Sequence, residues 1–108
     1  MKYIYLARCL GVGDPELVGK MLAALAKSDE KKVAVRDLVD VLKVSYPTIS
    51  RMVNELEALG VVRSEKERGL RKRPGRPRKI VEADWEALKA KAKECVDILT
   101  EFLKEAGP

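Results

Sequence analysis

Residues 44–60 read V-S-Y-P-T-I-S-R-M-V-N-E-L-E-A-L-G, and the rest of the chain arranges itself around them. The stretch predicts a helix. Ser45 is a suitable N-cap, because its hydroxyl can accept from the orphan N–H groups of the first turn. Pro47 falls within that turn, where a missing N–H breaks no hydrogen bond. Ile49, Met52, Val53, Leu56 and Leu59 recur at three- and four-residue spacing and form one buried stripe. Gly60 ends the helix. The opposite face, near the N-terminal end, is left with Tyr46, Pro47, Ser50, Arg51 and Asn54. These supply hydroxyls, a guanidinium and an amide with no carboxylate among them, a set suited to phosphates and base edges.

Working outward, R-D-L-V-D-V-L at 36–42 makes a short helix with Leu38 and Leu42 facing in, and Lys43-Val44-Ser45 is a tight connection. Two short helices so joined, the second with an exposed polar face, form a helix-turn-helix pattern. Upstream, Asp14-Pro15-Glu16 is a helix start with a cap, a proline at the first position and an acid near the positive dipole end. Leu17, Met21, Ala24 and Leu25 continue it as an amphipathic helix over 15–27. Lys32 to Val35 is long enough only for a minor strand. Residues 2–12 suit either a strand or a short helix with Tyr3, Leu6 and Leu10 on one face, and the helix is preferred. Downstream, 61–66 reads as a strand, 67–76 as a basic loop and 77–82 as a return strand. That is a hairpin directly after the second helix.

The charge is unevenly placed. Between Val61 and Ile80 nine Lys/Arg stand against Glu65 and Glu67, a net +7, whereas the whole chain carries +5 and its remainder therefore −2. A basic block on a slightly acidic body is the electrostatic footprint of a nucleic-acid contact; the plainer reading is a solvated basic loop. With no histidine and two distant cysteines, Cys9 and Cys95, the usual zinc sites are excluded. The cysteines read as structural. No enzyme is expected, since there is also no Gly-rich phosphate loop and no carboxylate cluster at catalytic spacing. The chain of 108 residues holds no glutamine, one asparagine and 36% charged residues. Few thermolabile amides among many charges suggest a hyperthermophilic, archaeal source. No secretory leader or bilayer-length apolar run is evident, so a cytoplasmic, nucleoid-associated location is expected.

Glu82-Ala83-Asp84 caps a last helix to about residue 105. Its apolar positions Trp85, Leu88, Ala92, Cys95, Leu99, Phe102 and Ala106 alternate three and four apart, the seam of a coiled coil. The segment from Glu82 holds seven acids against four lysines, so it should avoid DNA and membranes. An antiparallel homodimer interface is expected; the alternative is a helix folded back on its own domain.

The run D-L-V-D-V-L-K-V-S-Y-P-T-I-S-R-M-V-N-E-L-E-A-L-G-V-V, followed by a basic hairpin with G-R-P-R-K-I, resembles the winged helix-turn-helix regulators of prokaryotes over about residues 10–84. Small archaeal regulators similar to the ArsR, MarR and TrmB families come nearest. The chain lacks the Cys/His clusters of ArsR-type metal sensors and the large effector domain of TrmB-type sugar sensors, so no cofactor, metal or small-molecule ligand is implied. The resemblance implies an α+β, mainly α fold: a winged helix-turn-helix over 1–84 with a two-stranded basic wing, then a dimerisation helix over 85–108.

On that reading the chain is a dimeric transcriptional regulator of double-stranded DNA. The helix at about 45–59 enters the major groove. Arg51 reaches guanine or a phosphate, and Asn54 bonds adenine or stays a partnerless surface residue. Ser45, Tyr46, Pro47, Thr48 and Ser50 complete the surface, with Tyr46, Thr48 and Ser50 suited to phosphates. The wing contributes Arg68, Arg71, Lys72, Arg73, Gly75, Arg76, Arg78 and Lys79. Residues 71–79, R-K-R-P-G-R-P-R-K, resemble an AT-hook core, with Pro74 where AT-hooks carry arginine. Pro74 and Pro77 hold the backbone extended, Gly75 permits close approach, and Arg73 and Arg76 would be drawn into a narrow A·T-rich minor groove. Two other functions use the same features: an architectural chromatin protein with little sequence choice, and a winged helix for protein contact.

Overall fold

Among the described residues there are five helices and three short strands: α1 Lys2–Leu10, α2 Pro15–Lys27, β1 Lys32–Ala34, α3 Val35–Leu42, α4 Tyr46–Ala58, β2 Val62–Lys66, β3 Lys79–Ala83 and α5 Trp85–Ala106. The computed structural model describes residues 2–28, 31–66 and 79–107. The strands form one antiparallel sheet in the order β1-β3-β2.

Of residues 2–12, Lys2–Leu10 form the helix α1. Its face of Tyr3, Leu6, Ala7 and Leu10 lies on the core, with Ala7 and Leu10 buried. The fit against α2 depends on Gly19, where an added Cβ would stand 2.9 Å from the backbone of Ile4. α2 begins as its sequence dictates: Asp14 Oδ1 accepts from Leu17 N at 3.2 Å, and Pro15 follows the cap. Val18, Met21, Leu22 and Leu25 are its core stripe, joined by Leu38 from α3 and Leu56 from α4.

Two backbone reversals flank α4. Before it, Lys43 adopts the left-handed conformation (φ 57°) and its N–H bonds Val39 O at 2.9 Å, closing α3. After it, Gly60 takes φ 78°, where a side chain would be strained. Gly60 N–H then reaches Glu57 O at 2.9 Å and Val61 N–H reaches Leu56 O at 3.2 Å. This is the Schellman arrangement, and it turns the chain straight from α4 into the hairpin.

α5 starts where the Asp84 carboxylate accepts from Ala87 N at 3.1 Å. Three positions of the expected dimer seam make contacts within the chain. Leu88 is buried in the chain's own core. Trp85 meets Tyr3 edge to face at 6.5 Å between ring centroids. Cys95 forms a disulfide with Cys9 of α1 across 5.8 Å between Cα atoms, rather than facing a symmetry mate. Regular three-four spacing requires something apolar to cover the stripe, and along the first half of α5 that cover is this same chain. Ala92 is half-buried, while Val96, Leu99, Phe102 and Leu103 are each more than half exposed. Among the described residues no helix is long and apolar enough to cross a membrane.

Glycine inside a helix ordinarily yields about 1 kcal/mol when replaced by alanine. At Gly19 the close backbone of Ile4 reverses the sign. Gly19→Ala is expected to destabilise by up to about 2 kcal/mol net, since overpacking costs about 1–3 kcal/mol against that gain of about 1. Urea unfolding of the two proteins checks this.

Candidate nucleic-acid interface

α4 presents the surface predicted from residues 45–54. Ile49, Met52, Val53 and Leu56 are buried. Pro47, Arg51 and Asn54 lie exposed along the opposite midline, with Tyr46 exposed at the tip and Thr48 and Ser50 half-buried on the flanks. Ser45 does its capping work: its Oγ accepts from Thr48 N at 3.4 Å and pairs with Thr48 Oγ1 at 2.9 Å. Both hydroxyls are thus partly engaged by the helix itself, leaving Tyr46, Ser50, Arg51 and Asn54 as the freer groups.

The acids of α4 turn away from this midline. Glu57 Oε1 accepts from Ser64 Oγ of β2 at 2.7 Å, and Glu55 lies 3.5 Å from Gly13 N. Carboxylates that would repel phosphate are tied to the protein on either side, and the cationic and amide groups remain outward.

The hairpin stands next to α4 because Gly60 turns the chain back. β2 and β3 pair in the register Val62↔Ala83, Arg63↔Glu82, Ser64↔Val81, Glu65↔Ile80 and Lys66↔Lys79. Lys79 is the one expected wing contact among the described residues; Arg68, Arg71, Lys72, Arg73, Gly75, Arg76 and Arg78 lie outside them. On one face of the sheet Glu82 holds Arg63 at 2.8 Å and Lys32 at 3.4 Å. The Arg63 hydrogen bond, reinforced by Lys32 and opposed by partial desolvation, draws the Glu82 carboxyl below its ordinary pKa. This cross-strand row escaped sequence reading because it depends on register.

A helix narrow enough for the major groove, carrying donors on its outer midline and followed at once by a charged hairpin, defines a winged helix-turn-helix domain. The model of the MarR family matches residues 20–73. The chain belongs to the MarR family.

Solved structures agree in fold. A MarR family transcriptional regulator of Streptomyces coelicolor, Sco3205, determined in complex with DNA, is 25% identical with a TM-score of 0.60 and covers 93% of this chain. The chain spans 62% of that protein's length. A transcriptional regulator homologue from Pyrococcus horikoshii OT3 is 21% identical at TM-score 0.58, covering 99% of this chain and 96% of its own. AbsC, a MarR family regulator from S. coelicolor, is 14% identical at TM-score 0.58, over 99% of this chain and 70% of its own. No curated protein sequence matches the chain.

Because Glu82 is more acidic folded than unfolded, its stabilising effect is present above the ordinary carboxylate range and disappears as pH falls through the lowered value. Glu82→Gln should therefore unfold at a lower temperature than the parent at neutral pH and converge with it in acid. Thermal melts of both proteins across that range check the sign.

Proposed function

We propose that the chain is a dimeric, sequence-preferring regulator of transcription that binds double-stranded DNA. The observation that carries this reading is the outer midline of α4, where Arg51 and Asn54 face outward and both flanking acids are held aside. In the major groove, each bidentate base contact from such groups discriminates by about 1–3 kcal/mol. The basic segment to Lys79 follows β2 in the sequence. Its Gly-Arg-Pro core suits an A·T-rich minor groove or the phosphates beside it, with Arg73 and Arg76 as the inserting groups. No catalytic step, cofactor or small-molecule effector enters this reading. The amide-poor composition fits a hyperthermophilic archaeal source and a cytoplasmic, nucleoid-associated protein. Intracellular disulfides such as Cys9–Cys95 are a known exception in such organisms.

The homodimer uses the distal part of α5. Val96, Leu99, Phe102 and Leu103 make an exposed apolar stripe of a size that a soluble monomer rarely leaves uncovered. Pairing that stripe with its copy, antiparallel, would set two α4 helices about one DNA turn apart. Trp85, Leu88 and Cys95 support this interface from within the chain.

Selection of bound duplexes from a random pool tests the DNA reading. Two related half-sites are expected, with Arg51→Ala relaxing preference at one base position by about 1–3 kcal/mol and Arg76→Ala weakening A·T-rich sites most. Equal losses on every sequence would favour the architectural alternative, and no binding at low salt the protein-contact one. Sedimentation tests the dimer: Phe102→Asp should shift a micromolar sample from dimer to monomer, and a monomeric parent would refute the interface.

A further inference from the structure

The tip of α4 is poor in free hydrogen-bonding groups. Pro47 lies in the first turn and has no N–H. The N–H of Thr48 is capped by Ser45 Oγ at 3.4 Å, and the N–H of Ile49 bonds Ser45 O at 3.2 Å. The Ser45 and Thr48 hydroxyls pair with each other at 2.9 Å. Tyr46 keeps its phenol, exposed beside them. Pro47 is exposed as well, and its ring can neither donate nor accept.

A proline in the first turn of a helix is favoured for backbone reasons alone. What sets this one apart is its alignment. Pro47, Arg51 and Asn54 are all exposed and follow one another at four and three residues, one line along the helix. The outer midline therefore begins with an apolar ring and continues with a guanidinium and an amide.

Recognition helices bring their N-terminal residues against base edges. The floor of the major groove is mostly polar: guanine shows two acceptors, adenine an acceptor and a donor, cytosine a donor. A pyrrolidine ring set against any of these displaces water and leaves the base edge unpaired, which costs affinity. Thymine alone adds an apolar group, the 5-methyl, which needs no hydrogen-bond partner. We infer that Pro47 reads this methyl, so that each half-site carries a thymine at the Pro47 end of the α4 footprint. Four residues separate Pro47 from Arg51, about 6 Å along the helix. Successive bases rise about 3.4 Å, which puts the thymine about two base pairs from the base read by Arg51. A methyl at one end and hydrogen-bonding edges beyond it give the half-site a direction. This inference rests on the DNA-binding reading above and adds to it a contact that no hydrogen bond makes.

Deoxyuridine tests it, because it removes the 5-methyl and keeps both base pairing and the O4 acceptor. In a duplex selected by the parent, each thymine is replaced in turn, and binding is measured for the parent and for Pro47→Ser. The parent should lose about three- to five-fold in affinity at one thymine of each half-site, the worth of one buried methyl, and little at the others. That thymine should lie about two base pairs from the position where Arg51→Ala relaxes preference. Pro47→Ser should bind the thymine and uracil duplexes equally, with the parent's salt dependence, since no charge has changed. A flat scan in the parent, a sensitive thymine elsewhere in the site, or full sensitivity retained in Pro47→Ser would each overturn the contact. The parent scan decides by itself should the variant fail to fold. If the parent bound no duplex at low salt, the DNA reading would fall; a parent that selects a sequence but ignores the methyl loses this contact alone.

Discussion

A helix proposed to read a groove cannot be buried all round, and α4 divides its circumference between the core and the solvent. Ile49, Met52, Val53 and Leu56 lie in the core, and burying four such side chains contributes about 6–12 kcal/mol. The flanking bonds of Glu55 and Glu57 are each worth about 1 kcal/mol or less. Packing therefore sets the rotation of α4 about its axis, and the polar bonds only trim it. The left-handed Lys43 and the Gly60 reversal then decide what lies before and after that fixed face. Placement of Arg51, Asn54 and the hairpin follows from those few constraints.

Much of this was legible from local chemistry. The caps Asp14, Ser45 and Asp84 act within one turn, so the starts of α2, α4 and α5 stand where their residues indicate. Residues 2–12 were ambiguous because a short apolar and aromatic stretch suits a strand as well as a helix, and only the approach to Gly19 selects the helix. At three positions of the α5 seam the spacing left open what covers it. Periodicity shows that a stripe is covered but not by which chain, and Trp85, Leu88 and Cys95 are covered by α1 and the core. The pairing of Cys9 with Cys95 spans a sequence separation of 86, which no local pattern encodes.

The disulfide also gives α5 its character. A link closing so long a loop removes chain freedom from the unfolded state, worth about 4–5 kcal/mol on the entropic account. It falls at the point where α5 leaves the body of its own domain. On one side the helix is part of the core through Leu88; on the other its apolar residues face outward. The cross-link holds the root of the projecting half against α1, so the exposed stripe extends from a rigid base.

The strand order β1-β3-β2 leaves β2 with one unpaired edge, which is an invitation to further strand addition. Its sequence after Val62 is Arg63-Ser64-Glu65-Lys66, alternating in charge and mostly exposed. A copy of this segment laid against that edge would have to bring such charges into close register. β1, at the other margin, is only three residues long and offers little length to template. The small sheet is thus guarded against fibrous growth at both margins.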